Sequence, residues 1–125
     1  KEKNYDWRSV DALVDFGQKN NIAILYNTII NSHDNSFPDW YKALRAEEKY
    51  QALKRHIKAV IARYKEKVSV YKLVNEAARY EEPNFLGTGI DRSKLIAEMF
   101  TWAKEEYPNG KYILNDHEYW HFQYE

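Results

Sequence analysis

The sequence has no cysteine in its 125 residues, which excludes disulfides, thiol nucleophiles and cysteine-ligated zinc while leaving the redox compartment open. It has no excess charge of either sign. Its 19 Lys and Arg stand against 19 Asp and Glu, with no basic block, so the clustered cations that nucleic-acid phosphates require are missing. No run approaches the roughly 20 apolar residues that span a bilayer. Lys1-Glu2-Lys3 offers neither an initiator Met nor a signal h-region, as expected of a processed or excised chain. There is no internal repeat, no low-complexity stretch and no phosphate-binding loop, because Gly87-Thr88-Gly89 lacks the flanking Lys and the later Gly. These absences leave one globular unit with no room for a second domain, no nucleic-acid partner and no membrane.

Aromatic residues are abundant, at 16% of the chain, with 11 Tyr and 4 Trp. Such rings suit a core whose polar tips reach the margin, and equally a groove that stacks against a ligand.

Three stretches have helical period. Trp7, Val10, Leu13, Val14 and Phe16 form an apolar face that ends at Gln18-Lys19-Asn20-Asn21, with Asn20 placed to cap it. Tyr50, Leu53, Ile57, Val60, Ile61 and Tyr64 recur at the same spacing, with Lys54, Arg55, Lys58 and Arg63 mostly between them. Asp91 is placed to cap a third helix whose stripe is Leu95, Ile96, Met99, Phe100 and Ala103, stopped by Tyr107-Pro108-Asn109-Gly110. The charge run Arg45-Ala46-Glu47-Glu48-Lys49 reads as a solvated helix start, with its acids suited to the dipole. Between the helices lie β-branched and aromatic runs, Ile22 to Ile30, Val68 to Val74 and Lys111 to Leu114, each read as a strand.

The order α-β-α-β-α-β with near-continuous apolar strands predicts an α/β fold, a parallel sheet with right-handed crossovers and cover on both faces. Long connections, Asn31 to Glu47 and Ala77 to Ile90, follow the C-terminal ends of the first two strands, where such folds place ligand sites. Three parallel strands leave two edges open, whereas a closed barrel takes eight strands. The expected object is therefore about three strands and three helices of a partial (β/α)8 TIM barrel, or an assembly in which copies complete each other's sheet. A small open sandwich whose tails cover the edges is the other reading.

The run Asp11-Ala12-Leu13-Val14-Asp15-Phe16-Gly17-Gln18-Lys19-Asn20 resembles the helix before the third strand in glycoside hydrolase family 10, the endo-β-1,4-xylanases. Collinear matches follow. Pro38-Asp39-Trp40 resembles the family's Pro-Ser/Asp-Trp, and His56 to Lys65 is similar to its next helix. Val70-Tyr71-Lys72-Leu73-Val74-Asn75-Glu76 is similar to the strand W-D-V-V-N-E. Tyr107 to Asp116 resembles D-P-N-A-K-L-Y-I-N-D. The resemblance covers nearly the whole chain and implies a fragment, residues 1–125, of a retaining glycosidase barrel that acts on xylan or a related β-1,4-glycan without a cofactor. It also implies an extracellular or periplasmic setting. Glu76 would be the general acid/base, and Asn75 would hydrogen-bond the sugar 2-hydroxyl. Asn27, Trp40, Asn115, Tyr119 and Trp120 would line the substrate groove. A carboxyl at a strand end suits the role on physical grounds too, since rigid backbone fixes it and a partly apolar pocket favours a proton donor near neutrality.

The departures are specific. Asn27-Thr28-Ile29-Ile30-Asn31-Ser32 stands where the family has H-T-L-V-W-H, with His33 as a displaced candidate. Tyr71-Lys72 replaces Trp-Asp, and His117 follows Asn115-Asp116 where the family has Tyr. The family's nucleophile is a second Glu on the seventh strand, beyond Glu125. Retaining hydrolysis needs two carboxyls about 5 to 5.5 Å apart, so these residues alone are expected to have little or no xylanase activity. A non-catalytic carbohydrate-binding or assembly module built from such a barrel is the alternative.

His117-Glu118-Tyr119-Trp120-His121 matches H-E-x-x-H, in which two His on one helical face bind zinc and the Glu acts as base. The segment follows a strand, and only Phe122 to Glu125 remain to supply a third ligand. A groove-lining or structural role is therefore favoured over zinc hydrolysis through His117 and His121. His33-Asp34 reads as a solvated loop pair. Trp40, Tyr80, Phe85, Tyr119 and Trp120 all fall near the expected C-terminal face, as stacking platforms for sugar or as packing under the loops.

Overall fold

Helical period becomes packing most clearly in α3, Ala46–Tyr64, where Ala52, Leu53, Ile57, Val60, Ile61 and Tyr64 are buried on one stripe. Each fully buried aliphatic side chain of this kind contributes about 1.5–3 kcal/mol. The helix starts where expected, with the Arg45 N–H donating to Glu48 Oε2 at 2.9 Å. The computed structural model describes residues 4–33, 36–77 and 85–116. The remaining elements are α1 (Arg8–Lys19), β1 (Leu25–Asn31), α2 (Asp39–Lys42), β2 (Val70–Asn75), α4 (Arg92–Glu106) and β3 (Lys111–Asn115).

The expected caps are present. Asn20 closes α1 by donating from Nδ2 to the Phe16 carbonyl at 2.8 Å, and Asp91 Oδ2 accepts from the Lys94 N–H at 3.2 Å. The strands begin later than the apolar runs because helix ends claim the first residues. The Ile22 N–H donates to Gly17 O, and the Val68 N–H to Tyr64 O, both at 2.8 Å. Gly17 is required there, since a Cβ would lie 2.6 Å from Ile24 Cγ1. Helix α2, only four residues long, is too short to show a period in the sequence.

The sheet is parallel throughout, in the order β1-β2-β3. Tyr26, Tyr71 and Tyr112 fall in one lateral row, with ring centroids 6.0 and 5.8 Å apart. This row faces the helices. Tyr26 meets Tyr64 of α3, and the Tyr112 hydroxyl donates to Ala103 O of α4 at 3.0 Å. Much of the tyrosine content is thus core, and burial raises the Tyr71 and Tyr112 phenols above their usual range.

Side chains alternate along a strand, so Leu25, Asn27, Lys72 and Ile113 lie on the opposite face. That face is open: Leu25 is 48% and Ile113 37% exposed. The expected two-sided cover is therefore present on one side only among the described residues. Among the described residues β1 and β3 each pair with β2 alone. The architecture is that of consecutive β/α units from a (β/α)8 barrel, with helices outside and the open face where a lumen would be.

Candidate functional site

Asn31, Asn75 and Asn115 end the three strands and stand side by side in register. The row exists because both ladders contain a register shift, between Asn27 and Ile30 of β1 and between Lys72 and Val74 of β2. Such bulges turn strand ends and re-aim side chains beside active sites. The His33 N–H donates to Asn31 Oδ1 at 3.3 Å, and Asn75 Nδ2 approaches the same oxygen at 3.5 Å. Asn115 Oδ1 is buried without a hydrogen-bond partner among the described residues, an acceptor that a bound donor would satisfy.

Glu76 follows the central asparagine with φ at +55°. A left-handed conformation costs a non-glycine residue about 1–2 kcal/mol, and it persists only where surrounding structure imposes it. Here the flanking strands do so. The Glu76 N–H donates to Asn115 O at 3.0 Å, and the Glu76 carbonyl accepts from Ser32 Oγ at 2.6 Å. The half-buried residue therefore stands on backbone fixed from both sides.

The structure brings together Asn75, Glu76 and Asn115 from the residues expected in a site. Asn27 is exposed on the open face, aligned with Lys72 lower in the sheet. Trp40 sits in α2, half-buried and edge-on to Tyr41, lining a cavity of about 480 Å³ beside β1 with Asn31, Phe37 and His56. His56 Nε2 lies 3.2 Å from the Ile29 carbonyl, so this nitrogen donates, and Nδ1 is hydrogen-bonded with the Tyr5 hydroxyl at 2.9 Å. Phe85 is buried at 4% exposure, a core residue and not a stacking platform. Tyr80, His117, Glu118, Tyr119, Trp120 and His121 lie outside the described residues, as does Asp34 of the His33-Asp34 pair. Among the described residues no group of three or more His, Asp or Glu is arranged to hold a metal.

Asn31 and Ser32 join the site, although the sequence marked them only as departures from the family pattern and not as site residues. A signal was there: Asn31 to Asn75 and Ser32 to Glu76 share a separation of 44 residues, two polar pairs that each end an apolar run. A carboxyl held beside carboxamides at a strand end can exchange a proton with a ligand oxygen while the amides fix the ligand's hydroxyls.

The sequence profile of glycosyl hydrolase family 10 matches residues 1–123. A β-1,4-xylanase of Dictyoglomus thermophilum is 34% identical over 117 residues, covering 90% of this chain and 33% of that protein. The structure of a psychrophilic glycoside hydrolase family 10 endo-β-1,4-xylanase is similar with a TM-score of 0.78 and 28% identity, over 94% of this chain and 40% of that one. Xylanase 10B from Thermotoga petrophila RKU-1, solved in complex with xylobiose, gives 0.79 and 25% identity over 94% and 37%. The chain thus spans 33% to 40% of the length of these relatives.

Proposed function

The chain belongs to glycosyl hydrolase family 10, and on that premise we propose that it is a piece of a catalytic barrel that hydrolyses xylan or a related β-1,4-glycan with retention. Glu76 is the general acid/base. Its protonated carboxyl gives a proton to the leaving glycosidic oxygen as a second carboxylate, from outside these residues, attacks the anomeric carbon. The resulting Glu76 carboxylate then takes a proton from the water that releases the sugar. Asn75 donates to the 2-hydroxyl, a bond that strengthens as the transition state forms. No cofactor enters this chemistry. The observation that carries the reading is Glu76 itself: a strained, doubly anchored carboxyl residue directly after Asn75, at the C-terminal end of the central strand.

The test uses the protein expressed from its complete reading frame. Glu76→Gln is expected to lower kcat on xylo-oligosaccharides by about 10²- to 10⁴-fold, and Asn75→Ala to lower kcat/KM by about a hundredfold, the equivalent of ~2.7 kcal/mol. Unchanged turnover in Glu76→Gln would remove the acid/base assignment. A second reading, a carbohydrate-binding module without turnover, draws on Asn27, Asn31 and Ser32 standing where the family has His, Trp and His. Xylo-oligosaccharide affinity with no hydrolysis, undiminished in Glu76→Gln, is the outcome that would favour it.

A further inference from the structure

Beside the register shift, two hydroxyls of β1 and the loop after it bind the backbone of β2 and of the turn that ends it. Thr28 Oγ1 donates to Lys72 O at 2.9 Å, and Ser32 Oγ donates to Glu76 O at 2.6 Å. The spacing is the same on both sides, four residues from 28 to 32 and four from 72 to 76. The Ser32 N–H also donates to Asn75 O at 3.2 Å. Ser32 therefore holds the two successive carbonyls that bracket the left-handed residue. Its side chain is buried, with the residue 7% exposed, so water does not readily replace it.

The need for such a group follows from the backbone. Strand β2 ends at Asn75, and the turn at Glu76 takes the next carbonyl out of the ladder. A buried carbonyl without a ladder partner requires another donor, and the serine hydroxyl supplies it. On the other side Asn115 O accepts the Glu76 N–H, so the peptide groups of Glu76 are held by β3 and by the segment after β1. We propose that Ser32 is a positioning residue for Glu76, fixing through the Asn75 and Glu76 carbonyls the left-handed turn that sets where the carboxyl delivers its proton. The proposal rests on the acid/base reading of Glu76. A proton donor displaced by about 1 Å can lose on the order of a hundredfold in rate, so a backbone clamp of this kind is visible in kinetics.

The experiment compares two substrates in the protein expressed from its complete reading frame. A xylo-oligosaccharide has a leaving oxygen that must be protonated, whereas a dinitrophenyl xyloside releases a phenolate that leaves without a proton. Ser32→Ala is expected to lower kcat/KM on the oligosaccharide by about 10- to 100-fold and to leave kcat/KM on the dinitrophenyl glycoside within about twofold. Ser32→Thr, which keeps the hydroxyl, should recover most of the loss, and Ser32→Val, similar in shape without it, should not. Equal losses on both substrates, or no loss on either, would overturn the proposal. If Ser32→Ala does not fold, the Thr and Val pair decides by the same ratio of substrates. Glu76→Gln is measured alongside. If it fails to discriminate between the leaving groups, the acid/base reading itself falls; if it discriminates and the serine variants do not, only the role of Ser32 falls.

Discussion

Asp11 shows how far one side chain on α1 can be set by another helix. Its carboxylate accepts from Arg63 Nε at 2.9 Å, from Arg63 Nη2, and from the Tyr64 hydroxyl at 2.8 Å. The arginine hydrogen bonds, more than the tyrosine, hold its pKa down to about 2 from an ordinary 3.8. A carboxyl depressed on folding stabilises the fold above its unfolded pKa, and that stabilisation is lost as pH falls through the folded value. The urea midpoint of Asp11→Asn should therefore lie below that of the parent by a constant margin from pH 7 to about 4, and the margin should close between about pH 4 and 2. A margin that persists at pH 2 would show that the ion pair is not its source. At this scale the Asn75-Glu76 pair was legible because both residues are adjacent in the chain. The roles of Asn31 and Ser32 were not, because they act on residues 44 positions away through strand pairing.

Elements were legible wherever a period or a cap was present. The three long helices and three strands follow the apolar patterns, and Asn20 and Asp91 sit at the ends that their side chains allow. Asp91→Ala should cost about 1 kcal/mol, read as a lowered urea midpoint with unchanged slope. A changed slope would instead report an altered denatured state. Helix α2 and the 3-10 turn Phe85–Gly87 escaped the sequence reading because neither is long enough to repeat a pattern. The bulges escaped it too. They depend on how β1 and β2 lie against each other, with Thr28 as the hydroxyl that satisfies a backbone carbonyl at the shift.

For the molecule as a whole, the described residues place a covered face against α3 and α4 and leave the opposite face and both strand edges unpaired. Leu13 and Phe16 of α1, and Leu114 of β3 at 50% exposed, add apolar surface beyond the core. Open edges of this kind template association with another strand. These 125 residues prepared alone should therefore self-associate with rising concentration, and Leu114→Lys should shift that onset upward, measured by sedimentation velocity. A monomer at all concentrations, with no difference in the variant, would count against the edges as the contact. Among the described residues no helix is long and apolar enough to cross a membrane.

The sequence by itself determined the alternation of helix and strand, the parallel class, the apolar stripes and the adjacent Asn75 and Glu76, since each is written in local period or in a contiguous motif. Tertiary structure alone decided which sheet face is covered, that the tyrosines Tyr26, Tyr71 and Tyr112 fall into one row, and that Asn31, Asn75 and Asn115 align. It also decided that Glu76 takes a left-handed conformation held by Ser32 and Asn115. The physical reason is distance along the chain: a register shift and a hydrogen bond between residues 44 apart have no local signature, and they exist only once the strands are side by side.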